Sequence, residues 1–429
     1  MKMYSLFGVS AISIILILNS CKIGSAHNEK ISNQKSSVTE IGIIRGDTLY
    51  VSDTIDLHNG KYIIPDSLIL HFRGGVIKNG TLVGNNTHFI TDSPCFDCVH
   101  FDGTWCMPII TTSFFSNLSY ENSLLDVFAL TNDSINNVVY IDKGDYVVSV
   151  SHSFGNGLVV KSNTEVIVKG IIRLSPNNFK GYNIINIQGE NIKICGNGTI
   201  IGDRNTHMDN KGEWGMGINV DKSNNVVISD ISIQDCWGDC IYVGNGTKNI
   251  VIEGCNLNGG RRQGISITDA NGVYIKNCKI SNISGTPPEY AIDLEPNKGE
   301  VVDNVIIEDV EMSNCKGGIL SSVGSNSAGK MIGKIIISDC SILFSKKEPV
   351  RLRRCQFAQV ERCVIRNPES VPVFLITGVD SLVLRHNIVS IKNMGDNAKA
   401  LKTAINEDLI KLVHTYKTNI VNNKLIEEK

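Results

Sequence analysis

Apolar residues in this chain recur in short bursts and not in helical stripes. Seven segments share one pattern, in which β-branched residues are followed by a polar turn and further apolar positions: NNVVISDISI (224–233), KNIVIEGCNL (248–257), NGVYIKNCKI (271–280), DNVIIEDVEM (303–312), GKIIISDCSI (333–342), FAQVERCVI (357–365) and DSLVLRHNIV (380–389). Aligned on Ile228, Ile252, Ile275, Ile307, Ile337, Val360 and Leu384, they recur at spacings of 24, 23, 32, 30, 23 and 24 residues. A second series lies between them: MGINV (216–220), DCIYV (239–243), QGISI (263–267), YAIDL (290–294) and GGILS (317–321), spaced 23, 24, 27 and 27 on their shared isoleucines. Alternation within each burst predicts strands with one buried face. A period in the twenties with two or three such strands predicts a parallel β-helix, whose coils pair ~4.8 Å apart.

Equivalent positions of successive coils then stack. Cys255, Cys278, Cys340 and Cys363 each lie three residues past their reference position and are expected to form an interior ladder. Asn225, Asn249 and Asn304 open their repeats, where an amide side chain satisfies turn backbone groups. Segments 163–174 and 190–201 read as early coils. Residues 41–117, with FRGGVIKNGTLVGNNT (72–87), read as a small N-terminal β module that caps the solenoid, since an open end would expose unpaired strand edges. The solenoid is assigned to 118–429, with one candidate helix in 118–136. The fold class expected is all-β.

Composition narrows the function. Of 429 residues 42% are hydrophobic and 20% charged, and the net charge is −2. That excludes a disordered chain and leaves no field to hold nucleic acid. Of thirteen cysteines, Cys95 and Cys98 form a lone CxxC with no second pair to complete a zinc site, so a structural thiol or disulfide is expected there. The first 21 residues read as an export signal: Lys2, an apolar stretch Leu6–Leu18 too short to span a bilayer, then Leu18-Asn19-Ser20-Cys21. Leu-Asn-Ser-Cys resembles a bacterial lipoprotein cleavage box with Cys21 as the lipidated residue. Residues 22–40 are polar, as a flexible tether requires. The mature protein is therefore expected to be exported and lipid-anchored to a bacterial membrane, on the periplasmic side or the cell surface, with no other membrane contact.

The second strand series gathers the candidate chemistry. Two residues before its isoleucines stand Met216, Asp239, Gln263, Tyr290 and Gly317; one after stand Asn219, Tyr242, Ser266, Asp293 and Leu320; three after stand Asp221, Gly244, Thr268, Glu295 and Ser322. Asp239, Arg262, Gln263, Asp293 and Glu295 are thus expected to crowd one outer face. Trp214, Trp237 and Tyr242 supply flat apolar walls for sugar rings. Asp239 and Asp293, two coils apart (~9.6 Å of backbone rise), suit the acid and base of an inverting glycosidase, with Asp235 and Glu295 as alternatives for either role. Arg261 and Arg262 face acids at a strand mouth and fit an anion clamp for a uronate or sulfate. The loop before the strand face adds His207 and Glu213 as candidate substrate contacts.

These residues resemble the right-handed parallel β-helix proteins related to the polygalacturonase-like (pectin-lyase-like) glycoside hydrolases. GDCIYVGNGTKNIVIEGCNLNGGRRQGISI (238–267) is similar to their paired-aspartate and Gly-His-Gly segments. Asp239 matches the second aspartate, Gly238 stands in place of the first, Gln263 in place of the histidine, and Met216-Gly217 where an Asn-Thr-Asp-Gly motif places its acid. The set GDRNTH, GEWGMGI, DCWGDCIYVG, RRQGISI and AIDLEPN looks like a subgroup of exported or phage-borne β-helix proteins. The lipoprotein box with FRGGVIKNGTLVGNNT is similar to Bacteroides-type glycan-utilisation lipoproteins. The resemblance implies a polysaccharide substrate and, first, a cofactor-free glycoside hydrolase. A lyase or uronate C5-epimerase comes second, in which Asp293-Leu294-Glu295 resembles the Ca²⁺-binding acids of β-helix lyases such as chondroitinase B. A non-catalytic glycan-binding surface protein comes third.

Overall fold

The structure is a computed structural model, and it describes residues 36–37, 43–323, 332–392 and 409–428. The export signal, Cys21 and most of the proposed tether lie outside the described residues. From residue 137 onward the chain winds into coils that contribute to three parallel sheets. The front sheet stacks Gly155–Val160, the first part of Gly181–Cys195 and of Trp214–Ser229, then Ile241–Gly244, Ile265–Ile267, Tyr290–Leu294, Gly317–Ser321, Val350–Arg353, Phe374–Thr377 and Ile410–Val413. The side sheet carries the seven repeats noted above, including Thr247–Glu253, Ala270–Lys276 and Val302–Glu308. Short strands such as Ser232–Gln234, Asn256–Asn258 and Lys279–Ser281 form the back sheet.

Coil-to-coil register follows the sequence alignment. Ile218, Ile241, Ile265, Ile292 and Ile319 are successive in-register partners, as are Ile228, Ile252, Ile275, Ile307 and Ile337. All ten are fully buried. The interior is thus a column of stacked β-branched side chains, each excluded from water by the coils above and below. Cys255, Cys278, Cys340 and Cys363 are buried thiols in one such column, shared with Ile231, Val310 and Asn387 at the equivalent positions of other coils. None of the cysteines described is bridged, Cys95 and Cys98 included.

Turns between side and back sheets are tight because one residue per coil turns left-handed. Asp230, Gly254, Asn277, Asp309 and Asp339 all have φ between 51° and 64°. These are the residue types that tolerate that conformation. Past the back strand a second such column contains Asp235, Gly259, Asn282 and Asn314. At the start of the side strand a third contains Asn191, Asn225, Asn249 and Asn304. Amides there bond from coil to coil, as in Asn191 Nδ2 to Asn163 Oδ1 at 3.0 Å and Asn304 Nδ2 to Asn271 Oδ1 at 3.0 Å.

The connections into the front sheet are longer, and this asymmetry positions the site. Residues 202–213, 235–240, 259–264 and 282–289 pass over the mouths of the front strands. N-terminal to the solenoid, Thr48–Val51, Ile69–Phe72, Val76–Ile90 and Phe96–Trp105 also pair in parallel, around an edge-to-face cluster of Phe72, Phe89, Phe96, Phe101 and Trp105. Ile109–Thr111 then pairs with Asn137–Ile141 and leads into the side sheet. The α-helix spans Ser123–Ala129, inside the stretch expected to hold it.

Candidate functional site

Outward positions of the front sheet form one continuous column: Asn186, Asn219, Tyr242, Ser266, Asp293, Leu320 and Arg351 are successive in-register partners. Most outward columns of a solenoid are wetted, but Ser266, Asp293 and Leu320 are 3%, 1% and 6% exposed. From the 259–264 connection, Gln263 bonds directly to Asp293.

Five residues expected to meet do meet. Arg262 Nη1 lies 3.0 Å from Asp239 Oδ2 one coil back, and Arg262 Nη2 lies 3.9 Å from Glu295 Oε2 one coil on. Gln263 Nε2 donates to Asp293 Oδ2 at 2.7 Å, while its Oε1 accepts from the Tyr290 backbone N–H at 2.8 Å. Three carboxyl groups therefore surround one guanidinium. Burial raises the pKa of Asp239, with Arg262 as the main opposing influence. Burial also pushes Asp293 well above the carboxylate range, reinforced by Glu295, and it raises Glu295 against the pull of Arg262. One cation among three buried acids favours their protonated forms. Asp239 Oδ1, Asp293 Oδ1, Arg262 Nε and Ser266 Oγ are all buried with no protein partner.

Above this cluster opens a cleft of about 270 Å³. Glu295 and Arg262 reach it, whereas Asp239 and Asp293 lie beneath and do not line it. Its aromatic wall is Trp214 beside Phe154, ring centroids 6.0 Å apart and both exposed, at 42% and 62%. Tyr242 lines the floor, its hydroxyl 2.9 Å from Thr268 Oγ1. Asn183, Asn219 and Asn297 complete the polar lining.

Other expected contacts have different surroundings. Trp237 is no open platform: it is 5% exposed, stacked on His207 at 3.9 Å, with the Arg261 guanidinium 3.7 Å from its ring centroid. Arg261 also donates to the Gly212 carbonyl at 2.9 Å, so it does not join Arg262 in a clamp. The His207 side chain is fully buried and its Nδ1 is 2.7 Å from Asp203 Oδ2. Asp203, fully buried, also accepts from the Tyr182 hydroxyl and from Asn177. This cluster pins the 202–213 loop over the front sheet. Asp235 belongs to the left-handed turn column and takes no part in the carboxyl cluster. Glu213 lies with Lys180 and Lys211 in a shallow groove on the outer side of Trp214. Gly238, where the resembling family places an aspartate, is fixed by sterics: a Cβ there would lie 2.5 Å from the Glu213 carbonyl oxygen.

Phe154, Tyr182, Asn183 and Asp203 were not legible as site residues. Asn183 aligns with Met216 in the register, and Tyr182 with Gly215, but the early coils lack the repeat that would have revealed it. Phe154 projects from a turn between strands.

The fold is a right-handed parallel β-helix, and the family model described as "Right handed beta helix region" matches residues 137–304. The SPbeta prophage-derived uncharacterized protein YorA of Bacillus subtilis (strain 168) is 31% identical over 200 residues, covering 39% of this chain and 34% of that protein. A polygalacturonase of Gossypium barbadense is 35% identical over 116 residues, 24% of this chain and 26% of that one. The chain thus spans about a third or less of the length of these relatives. Among solved structures, the Azotobacter vinelandii mannuronan C-5 epimerase AlgE6 A-module is similar over 72% of this chain and 82% of that one, at 11% identity and a TM-score of 0.48.

Proposed function

We propose that the protein cleaves polysaccharides, as a glycoside hydrolase whose carboxyl groups are Asp239, Asp293 and Glu295. The observation that carries this reading is three carboxyl groups around one arginine, beneath an open cleft with an aromatic wall. Arg262 favours the ionised form of Asp239, while burial favours the protonated forms of Asp293 and Glu295. Glu295, the carboxyl at the cleft, gives its proton to the glycosidic oxygen as the C1–O bond breaks. Asp239, beneath the cleft, takes the proton of the attacking water through one intervening water as the new C1–O bond forms. A two-coil separation of acid and base suits the inverting geometry. The stretch similar to a polygalacturonase adds support for a glycan substrate.

The Ca²⁺-assisted lyase or epimerase reading fits this site less well, because Arg262 holds a fixed positive charge beside Glu295 where the cation would sit. Among the described residues no group of three His, Cys, Asp or Glu side chains is placed to hold a metal ion. Reducing-end release and the ultraviolet absorbance of unsaturated ends, followed together with and without EDTA, separate the routes. New reducing ends without absorbance support hydrolysis. EDTA-sensitive absorbance would replace it with elimination. Binding without any change in the glycan would leave a glycan-binding protein.

Export and lipid anchoring through Cys21 are part of the same proposal: an anchored enzyme acts on glycans outside the cytoplasm. Incorporation of labelled fatty acid, lost in Cys21→Ala, is the expected result.

A further inference from the structure

The cleft has a polarity of its own. Among the described residues its charged lining is Arg262 and Glu295. Arg262 is already committed, 3.0 Å from Asp239 and 3.9 Å from Glu295, with its Nε buried. Asp293 adds a further acid directly beneath. Lys180 and Lys211 line a separate groove that also includes Trp214, and Lys211 lies 4.0 Å from Asp209. An anionic sugar in the cleft would meet an acidic floor with no uncommitted cation. The uncharged lining offers what a hydroxyl-rich ring needs: the faces of Trp214 and Phe154, the amides of Asn183 and Asn219, and the Tyr242–Thr268 hydroxyl pair.

We infer that this cleft is a subsite for a neutral pyranose and discriminates against a uronate or sulfated residue at that position. The inference rests on the glycan-cleaving reading above and names the sugar class that the site holds next to its acids. Amide and hydroxyl groups bond to sugar hydroxyls as donor or acceptor, and the aromatic pair covers the apolar face of the ring. An added carboxylate would lose its hydration there with no free cation to pair with, since Arg262 is held by Asp239 and Glu295.

The intrinsic fluorescence of the protein supplies the test. Trp105 and Trp237 are 0% and 5% exposed and Trp214 is 42% exposed, so a bound sugar is reported by Trp214. Glu295→Gln, which keeps the glycan intact, is titrated with neutral gluco-, manno-, galacto- and xylo-oligosaccharides and with galacturonate, glucuronate and mannuronate oligomers. This variant leaves Arg262 with one acid partner fewer and so favours the anionic competitors. At least one neutral series should saturate the signal, with every uronate series at least about tenfold weaker. Phe154→Ala should weaken the neutral ligand at an unchanged thermal midpoint. A uronate that binds as tightly as the best neutral sugar overturns the inference, as does failure of both classes to move the signal. Neutral oligomers that bind but are never cut by the unaltered enzyme would sink the hydrolase reading and leave the neutral subsite standing. Uronates bound and cut would do the reverse.

Discussion

Within the same coils the front and side faces use one backbone plan and reach opposite outcomes. On the side sheet the outward column Val227, Val251, Tyr274 and Ile306 remains half-buried to exposed, and charges there pair across open surface, as Lys276 does with Glu253 at 2.6 Å. On the front sheet the equivalent column Tyr242, Ser266 and Asp293 sinks beneath loops until Asp293 is 1% exposed. The strands are alike, and the difference lies in the connections. A single left-handed residue such as Asp230 or Asn277 links side to back, whereas loops of several residues lead into the front. The buried carboxyl cluster lies on the face whose connections are long.

This contrast can be tested by substitution, beginning with the largest effect. Glu295→Gln should lower reducing-end release by about 10²–10⁴-fold and leave the thermal midpoint near its original value, because it removes proton transfer and little packing. Arg262→Ala should cost roughly 3–5 kcal/mol in chemical denaturation, since it strands buried carboxyl groups without their cation. Lys276→Ala on the side face should cost under about 1 kcal/mol by the same measurement. Ile252→Ala, facing inward, should lose about 2–5 kcal/mol, and its outward neighbour Val251→Ala far less.

A subtler effect concerns pH. Asp239, Asp293 and Glu295 all have raised pKa values in the folded protein. Below the ordinary carboxylate range both folded and unfolded chains hold these protons and the cluster carries no penalty. As pH rises through that range toward the raised values, the unfolded chain releases protons first, so the cluster destabilises the fold progressively. The midpoint difference between Asp293→Asn and the unaltered protein should therefore shift in favour of the variant with rising pH, and a flat difference would refute the raised pKa. Smallest of all, Asp235→Asn should leave activity and stability within about 0.5 kcal/mol, because asparagine suits the left-handed turn and the side chain is outside the cluster.

How far the sequence revealed this follows from periodicity. The register of Ile218 through Ile319 and of Ile228 through Ile337 was readable because inward positions repeat one residue type. The same alignment placed Asp239, Gln263, Asp293 and Glu295 together, for stacking turns a linear spacing into a neighbourhood. Loops have no period. Nothing in the spacing said that Trp237 would be enclosed between His207 and Arg261, or that Phe154 would stand beside Trp214 across a coil boundary. The depth of Asp239 and Asp293 was equally hidden, since burial there depends on what crosses the strand mouths.

Because each coil bonds only to the coils on either side, length is a heritable quantity in this molecule. Gain or loss of a whole coil beyond Leu320 would change the reach of the rod in steps of ~4.8 Å and leave the acidic cluster intact. The same event between Asp239 and Glu295 would part Asp239 from Arg262, or Gln263 from Asp293. These three coils thus form one unit: an insertion within them separates the acids, and one outside them does not.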